Sequence, residues 1–240
     1  MRSAVFLWLM LFVIVVGCHD SKPHDNPDPM TEMLPVRFLA LGDSYTIGEG
    51  VEEAGRWPNQ LADTLALRGI EMDKPVIVAR TGWTTAELKA GIAEANPRAP
   101  FDLVSLLIGV NNQFRGPSRG YTQQDYRTEF ADLLQQAIGF AGGDASRVFV
   151  VSIPDYGVTP FVAQANKARV AEEIDQYNAI NLEESTKAGV SYFNITPLSR
   201  LAAEDPSLLA PDRLHPSADM YRLWVELMVE EVAGKVKSEE

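Results

Sequence analysis

From residue 36 onward, short apolar runs alternate with segments in which hydrophobic residues recur every three or four positions. Several runs are apolar at successive positions, which is typical of strands covered on both faces. The predicted strands are Val36–Leu41, Pro75–Ala79, Leu103–Ile108, Val148–Ile153 and Val190–Ile195. The predicted helices are Pro58–Arg68, Thr85–Glu94, Thr122–Ala141, Thr159–Ala188, which is expected to break near its start, and Ser217–Lys237.

Alternation of strands and helices in this order predicts an α/β fold with a doubly wound parallel sheet. A chain of 240 residues is long enough for one large domain. The sequence shows no internal repeat and no composition change that would mark a second domain. We therefore predict a single domain over residues 34–240.

The N-terminal segment has the pattern of an export signal. Arg2 is followed by an apolar run over Ala4–Val16, which is too short to span a membrane as a helix. The residues that end this run resemble a bacterial lipobox, in which cleavage precedes a cysteine that is then lipidated, here Cys18. The alternative is an ordinary signal peptide with a chance cysteine. We predict a lipoprotein signal over residues 1–17 and lipidation of Cys18.

Residues 18–33 contain three prolines among polar residues, a composition typical of an extended tether. This tether would hold the domain away from a membrane anchor. His19 directly after the cysteine resembles the outer-membrane pattern of lipoproteins rather than the inner-membrane retention signal. The predicted location is therefore the bacterial envelope, at the outer membrane or cell surface, with the oligomeric state left open.

The charge balance and cysteine count exclude several classes of site. A net charge of -12 argues against nucleic acid, whose binding depends on clustered basic side chains. Cys18 is the only cysteine, so an intrachain disulfide and a cysteine-based zinc site are both excluded. No group of residues has the spacing of a metal site, and we expect neither a metal nor another cofactor.

Ser44 follows the first predicted strand directly, on a turn introduced by Gly42 and Asp43. A serine at the carboxyl end of such a strand lies at the sheet edge where α/β proteins hold their ligands. It could act there as a nucleophile if a base lay beside it. The alternative is a helix N-cap, a role for which serine is also preferred.

His215 is the only histidine of the predicted domain, because His19 and His24 lie in the tether. Asp212 precedes it by three residues, a spacing that lets a carboxylate reach Nδ1 of the ring and leaves Nε2 available to take a proton. The alternatives are a surface-loop histidine and an aspartate that only caps a turn.

Two further residues follow predicted strands and could donate hydrogen bonds to an oxyanion. Gly82 comes after the second strand and Asn111 after the third, although each could be an ordinary turn residue. Carboxyl ends of parallel strands share one sheet edge, so Ser44, Gly82, Asn111 and His215 are all expected there. Their convergence predicts acyl transfer through a serine.

The motifs that carry these residues resemble those of the SGNH (GDSL-like) hydrolases over residues 36–235. The matching segments are Gly42-Asp43-Ser44, Gly82, Gly109-Val110-Asn111 and Asp212-Arg213-Leu214-His215-Pro216. The resemblance implies a flavodoxin-like three-layer α/β/α sandwich with a five-stranded parallel sheet, and ester hydrolysis. It also implies Ser44 as nucleophile, His215 as base, Asp212 as its orienting partner, and an oxyanion hole from the Ser44 and Gly82 amides and the Asn111 side chain.

The substrate is less strongly indicated. Asn112 departs from the family pattern, which usually has aspartate there, and is expected to alter only local hydrogen bonding or to contact substrate. Trp57, Trp83 and Tyr156 could also contact the substrate, although the tryptophans could equally be packing residues. We predict a short-chain esterase acting on a small-molecule or polysaccharide ester, with acetyl groups favoured.

Several alternatives remain open at the sequence level. A lysophospholipase or a thioesterase would use the same catalytic residues. A surface lipoprotein that binds glycans without hydrolysing them would be expected to lack the serine or the histidine, and both are present. A nucleotide- or flavin-binding domain is disfavoured because no Gly-x-Gly-x-x-Gly motif and no phosphate-loop lysine follow the first strand.

Overall fold

Five short strands pair in parallel in a computed structural model that describes residues 34–116, 118 and 120–237. The strands are β1 (Phe38–Gly42), β2 (Val76–Ala79), β3 (Leu103–Leu107), β4 (Val148–Val151) and β5 (Ser191–Phe193). Their order across the sheet is β2-β1-β3-β4-β5, the order of flavodoxin-like folds. The predicted fold class, a flavodoxin-like α/β sandwich with a five-stranded parallel sheet, is confirmed.

The sheet register places the ends of the central strands level with one another. Gly42 of β1 pairs with Ala79 of β2 on one side and with Leu107 of β3 on the other. The strand order reverses between β1 and β3, which is the point where such sheets bind ligands. Residues that leave β1, β2 and β3 therefore enter the same region.

Burial explains why the central strands are apolar without alternation. Every residue of β1, β3 and β4 is buried, so both faces of these strands contact helices. The edge strands are more exposed, and Val76 of β2 retains 42% of its accessible surface. The core between the sheet and its helices includes stacked and tilted contacts of Phe38 with Phe149 and Trp57.

Helices cover the two faces of the sheet in two groups. The helices are α1 (Ser44–Ile47), α2 (Trp57–Ala66), α3 (Thr85–Ala95), α4 (Val110–Arg115), α5 (Gln123–Phe140), α6 (Lys167–Ala188), α7 (Thr196–Ser199) and α8 (Ala218–Lys237). The first group packs α2 against α8, and the second packs α3, α5 and α6 side by side.

The long helix predicted from Thr159 begins at Lys167 instead, so its first eight predicted residues form a loop and a short 3₁₀ turn. The hydroxyl of Thr159 donates to the carbonyl of Tyr156, and the Lys167 ammonium donates to the carbonyl of Val158. These bonds fold the segment back on itself before the helix starts. The fifth strand is also shorter than predicted, because pairing stops at Phe193.

The predicted signal peptide, Cys18 and the tether lie outside the described residues and stay predictions. Within residues 34–237, as far as the structure describes them, no helix is both long enough and apolar enough to cross a bilayer.

Candidate active site

Gly42 makes the sharp exit from β1 possible. A side chain there would approach the Thr46 hydroxyl to about 2.1 Å and the Leu107 carbonyl oxygen to about 2.5 Å. The glycine therefore allows α1 to pack directly against the ends of β1 and β3. Ser44 is the first residue of α1 and is 4% exposed, at the sheet edge predicted for it.

Asp43 caps this short helix from a completely buried position. One carboxylate oxygen accepts a hydrogen bond of 3.0 Å from the Tyr45 amide, and the other has no partner among the described residues. Desolvation by burial raises the pKa of Asp43 from 3.8 to about 7, against the opposing effect of the backbone hydrogen bonds. The residue directly before Ser44 is thus a buried carboxyl group that resists ionisation.

Asp212 and His215 are joined as the sequence predicts. Nδ1 of His215 lies 2.6 Å from Oδ2 of Asp212. The other oxygen of Asp212 accepts from the backbone amides of Leu214 and His215, at 2.9 and 3.0 Å. Burial opposes ionisation of Asp212, but these hydrogen bonds outweigh it and hold the pKa of this carboxyl below its usual value. The carboxylate is ionised at neutral pH, and both its oxygens are in use.

The loop around His215 is held by a short antiparallel bridge. Leu209 pairs with Pro216, the Ala210 amide donates to the His215 carbonyl at 2.7 Å, and Arg213 adopts a left-handed conformation with φ of 60°. The tight turn brings the Asp212 carboxylate beside the Nδ1 edge of the His215 ring. The imidazole itself is 10% exposed, so one edge still reaches solvent.

Tyr45 connects the serine turn with the histidine loop. Its ring meets the His215 ring edge-on, with centroids 5.6 Å apart, and Tyr45 directly follows Ser44. Among the described residues no hydrogen bond joins the Ser44 hydroxyl to the imidazole. The residue after Ser44 therefore contacts the His215 imidazole directly. Catalytic hydrogen bonds are often longer in unliganded proteins than in complexes.

Gly82 lies in a turn after β2 with φ of 86°, a left-handed conformation that favours glycine. The α4 helix holds this turn by two side chains. The Asn111 amide donates to the Trp83 carbonyl at 3.0 Å, and the Arg115 guanidinium donates to the Gly82 carbonyl. The same guanidinium nitrogen of Arg115 lies 2.6 Å from Glu87. Gly82 and Asn111 are thus brought together as predicted.

Arg115 and Glu87 are positioning groups that sequence reasoning did not identify. Glu87 completes a capping box with Thr84 at the start of α3, since its carboxylate accepts from the Thr84 amide at 2.8 Å. The Thr-x-x-Glu spacing predicts such a cap. The sequence gives no sign, however, that this same carboxylate also anchors the arginine above the Gly82 turn.

Two of the residues predicted to contact substrate are corrected by the structure. Trp57 is fully buried and packs on Phe38 and Phe149, so it is a core residue. Asn112 is 2% exposed and bonds to both Thr85 and Tyr121, which ties α4 to α3. The Trp57 ring is packed in the core, and the oxygen and the nitrogen of the Asn112 amide are both already hydrogen-bonded within the protein.

Trp83 and Tyr156 differ from these two residues. Trp83 is half-buried, and its six-membered ring contacts Gly91 of α3, where any side chain would overlap the ring. Tyr156 is buried below the surface after β4, and its hydroxyl donates to Gln113 at 2.9 Å. Burial raises the pKa of Tyr156 to about 12, so this hydroxyl stays protonated. Trp83 presents surface beside Asn111, and Tyr156 supports surface residues above it.

A cavity behind the histidine loop is too small for an organic group. It has a volume of about 10 Å³ and is lined on one side by Tyr45 and Tyr156 and on the other by Leu214 and Pro216. This is the space of about one water molecule. Within the described part of the chain, no group of three or more histidine, cysteine or acidic side chains converges as a metal site would require.

The match to a family model agrees with this geometry. Residues 40–223 match the GDSL-like Lipase/Acylhydrolase family, and the chain belongs to that family. The matched segment includes Ser44, Gly82, Asn111 and the Asp212–His215 pair. The protein is accordingly a carboxylic ester hydrolase, as its motifs predict.

Solved structures share the fold at low sequence identity. Acetylxylan esterase Axe2 from Geobacillus stearothermophilus has a TM-score of 0.62 and 17% identity, covering 82% of this chain and 94% of its own. Esterase EstA from Pseudoalteromonas sp. has a TM-score of 0.58 and 16% identity, with coverages of 82% and 97%. A member of the lipolytic protein G-D-S-L family from Veillonella parvula has a TM-score of 0.61 and 14% identity, with coverages of 85% and 100%.

At these identities the similarity supports the fold alone. No curated protein sequence matches the chain significantly.

Proposed function

We propose that the protein is a serine esterase in which Ser44 is the nucleophile, His215 the general base and Asp212 the group that orients the imidazole. The observation that carries this proposal is the 2.6 Å contact between His215 Nδ1 and Asp212 Oδ2, on a ring that packs against the residue after Ser44. Serine is unreactive at its ordinary pKa and needs an adjacent base of this kind.

In the first step the Ser44 hydroxyl attacks the ester carbonyl carbon while Nε2 of His215 takes its proton. The imidazolium that forms is stabilised by the Asp212 carboxylate, which is ionised and fixed by two backbone amides. His215 then gives the proton to the departing alcohol oxygen. In the second step water attacks the acyl-enzyme carbonyl carbon while His215 takes a proton from the water. The bond between that carbon and the Ser44 oxygen then breaks, His215 returns the proton to this oxygen, and the carboxylic acid leaves.

We assign oxyanion stabilisation to the backbone amides of Ser44 and Gly82 and the side-chain amide of Asn111. The Gly82 amide donates to no described acceptor, so it is available to an incoming oxygen. One hydrogen of the Asn111 amide is taken by the Trp83 carbonyl, which leaves the other to donate. Donors fixed before the reaction stabilise developing charge without further reorganisation.

The preferred acyl group in this proposal is short, of the acetyl type. Carbohydrate acetates belong among the test substrates, because one structure of the same fold is described as an acetylxylan esterase.

The proposal is tested with p-nitrophenyl esters from acetate to palmitate and with acetylated xylan. Ser44→Ala and His215→Gln should abolish turnover, whereas Ser146→Ala, on a 3₁₀ turn before β4, should retain it. A serine-directed phosphonate should label the parent protein and the Ser146→Ala protein but not Ser44→Ala. If Ser44→Ala hydrolyses these esters at the parent rate, the assignment of the nucleophile is wrong.

We also propose that the mature protein is a lipoprotein anchored through Cys18 in the bacterial envelope, with the domain held away from the membrane by residues 18–33. The single cysteine directly after an export-signal pattern supports this. Expressed with its full N-terminus in a bacterial host, the protein should partition into detergent and the Cys18→Ser protein into the aqueous phase. Equal partitioning of the two proteins would contradict lipidation.

A further inference from the structure

Two exposed phenylalanine side chains pack over a buried tyrosine next to the proposed oxyanion hole. Phe114 and Phe161 retain 54% and 55% of their accessible surface, and their ring centroids lie 5.9 Å apart. Tyr156 lies buried beneath them and contacts both rings, at 6.0 Å from Phe114 and 6.4 Å from Phe161. We call Phe114, Tyr156 and Phe161 the aromatic surface.

The aromatic surface borders the catalytic centre on two sides. Phe114 follows Asn111 by three residues on α4, and residues at this spacing lie on the same helix face, about 5–6 Å apart at Cβ. Tyr156 lines the same small cavity as Tyr45, which directly follows Ser44. An ester whose carbonyl oxygen reached Asn111 would therefore extend one of its substituents over these rings.

The aromatic surface is fixed in place before any ligand arrives. The Tyr156 hydroxyl donates to Gln113, and the Gln113 amide donates to Glu173 of α6 at 2.5 Å. Glu173 is held in turn by Arg169. Two large phenylalanine rings over a braced tyrosine present hydrocarbon to water, which favours burial by an apolar ligand.

We propose that the aromatic surface binds the hydrocarbon portion of the ester substrate and gives the enzyme selectivity for chain length beyond the reacting acyl carbon. This inference rests on the proposed function, because it takes the oxyanion hole as the origin from which the chain extends. Because the proposed acyl group is short, we expect the chain to belong to the alcohol, and a rise with the length of the acid would overturn the preference for short acyl groups. The recognition chemistry is the same for both, and the two series of substrates below separate them.

The experiment compares kcat/KM for p-nitrophenyl esters of two- to eight-carbon acids with kcat/KM for acetates of two- to eight-carbon alcohols. In the parent enzyme each added methylene should raise kcat/KM about two- to fourfold in the alcohol series. Phe114→Ser and Phe161→Ser should each reduce this slope, which is the increase in kcat/KM per added methylene, and the double substitution should abolish it. Phe114→Leu should restore most of it. Leu67→Ser, which removes an 89% exposed apolar side chain at the end of α2, should leave the slope unchanged.

Binding to the inactive Ser44→Ala protein gives a readout that does not depend on turnover. Octanoate or 1-octanol, followed by calorimetry, should bind this protein and should lose at least fivefold in affinity when Phe114→Ser is added. The proposal would be overturned if kcat/KM depended on chain length equally in the parent and the double variant. It would also be overturned if the parent formed a dimer that covers the aromatic surface and that is lost in the double variant. Turnover by Ser44→Ala would instead refute the proposed function, whatever the slopes.

Discussion

Replacing Arg115 with glutamine should weaken catalysis without touching a group that reacts. The Arg115 guanidinium holds the Gly82 carbonyl, and Glu87 lies 2.6 Å from the same nitrogen. The Gly82 carbonyl and the Gly82 amide belong to two adjacent peptide planes joined at the Gly82 Cα, so holding the carbonyl restrains the backbone torsions that set the direction of the amide. When the arginine is lost, the Gly82 amide is therefore free to rotate away from the position of the developing oxyanion.

The magnitude follows from what remains in place. Complete loss of one oxyanion donor costs about 10² to 10³ in rate. In Arg115→Gln the adjacent carbonyl of Trp83 is still held by Asn111 at 3.0 Å, so the turn is loosened rather than lost. We expect kcat to fall about ten- to fiftyfold, equivalent to about 1.4–2.3 kcal/mol of transition-state stabilisation, with little change in KM.

The assay is steady-state hydrolysis of p-nitrophenyl acetate, with Arg222→Gln as the matched control. Arg222 also pairs with a glutamate at 2.6 Å, but it lies on the exposed face of α8. In the double variant with Asn111→Ala, the two losses should not add in full, because both side chains act on the same turn. A kcat for Arg115→Gln within twofold of the control, or a defect confined to KM, would refute this reasoning.

Three further predictions concern the same region. Asn111→Ala should lower kcat about 10² to 10³-fold, as measured on the same ester, and a loss below fivefold would contradict its role as a donor. Gly42→Ala should lower the thermal midpoint and the activity together, because a methyl group there meets the Leu107 carbonyl oxygen at about 2.5 Å; an unchanged melting curve would contradict the crowding. Folding raises the pKa of Asp43 from 3.8 to about 7, so the folded protein binds this proton more tightly than the unfolded chain does. The stability that the protonated carboxyl contributes is therefore fully present below pH 4 and is lost as the pH rises towards 7. The free energy of unfolding, measured by urea titration across pH 4–7, should fall by at most about 4 kcal/mol in the parent protein for this reason, and Asp43→Asn should lack this fall. If the unfolding free energies of the two proteins depend equally on pH, Asp43 does not titrate in this range.

The strand positions were predictable because they follow from local composition. Parallel strands buried on both faces are mostly apolar, so the runs beginning at Phe38 and Val148 are uninterrupted, and the run from Leu103 contains a single polar residue, Ser105. The pairing of Asp212 with His215 was predictable because it depends on three residues of one loop.

Properties that depend on distant packing could not be predicted from the sequence. Whether Trp57 lies in the core or at the surface depends on Phe38 and Phe149, which lie 19 and 92 residues away. The start of α6 at Lys167 depends on a side chain that folds back onto carbonyls of the preceding loop. The burial of Asp43, and hence its weakened acidity, follows from the packing around the sheet edge rather than from its neighbours in sequence.

The six-residue helix α4 has a consequence for how this enzyme can change over evolution. The five side chains from Asn111 to Arg115 each have a different role. In order along the helix, they hydrogen-bond beside the proposed oxyanion hole, tie α4 to α3, hold the Tyr156 hydroxyl, contribute apolar surface and restrain the Gly82 turn. In the proposed mechanism, rate and selectivity are both encoded within a single turn and a half of backbone. A lineage that adapts this stretch to a new ester alters both traits at once, and an engineer who randomises it should screen for both.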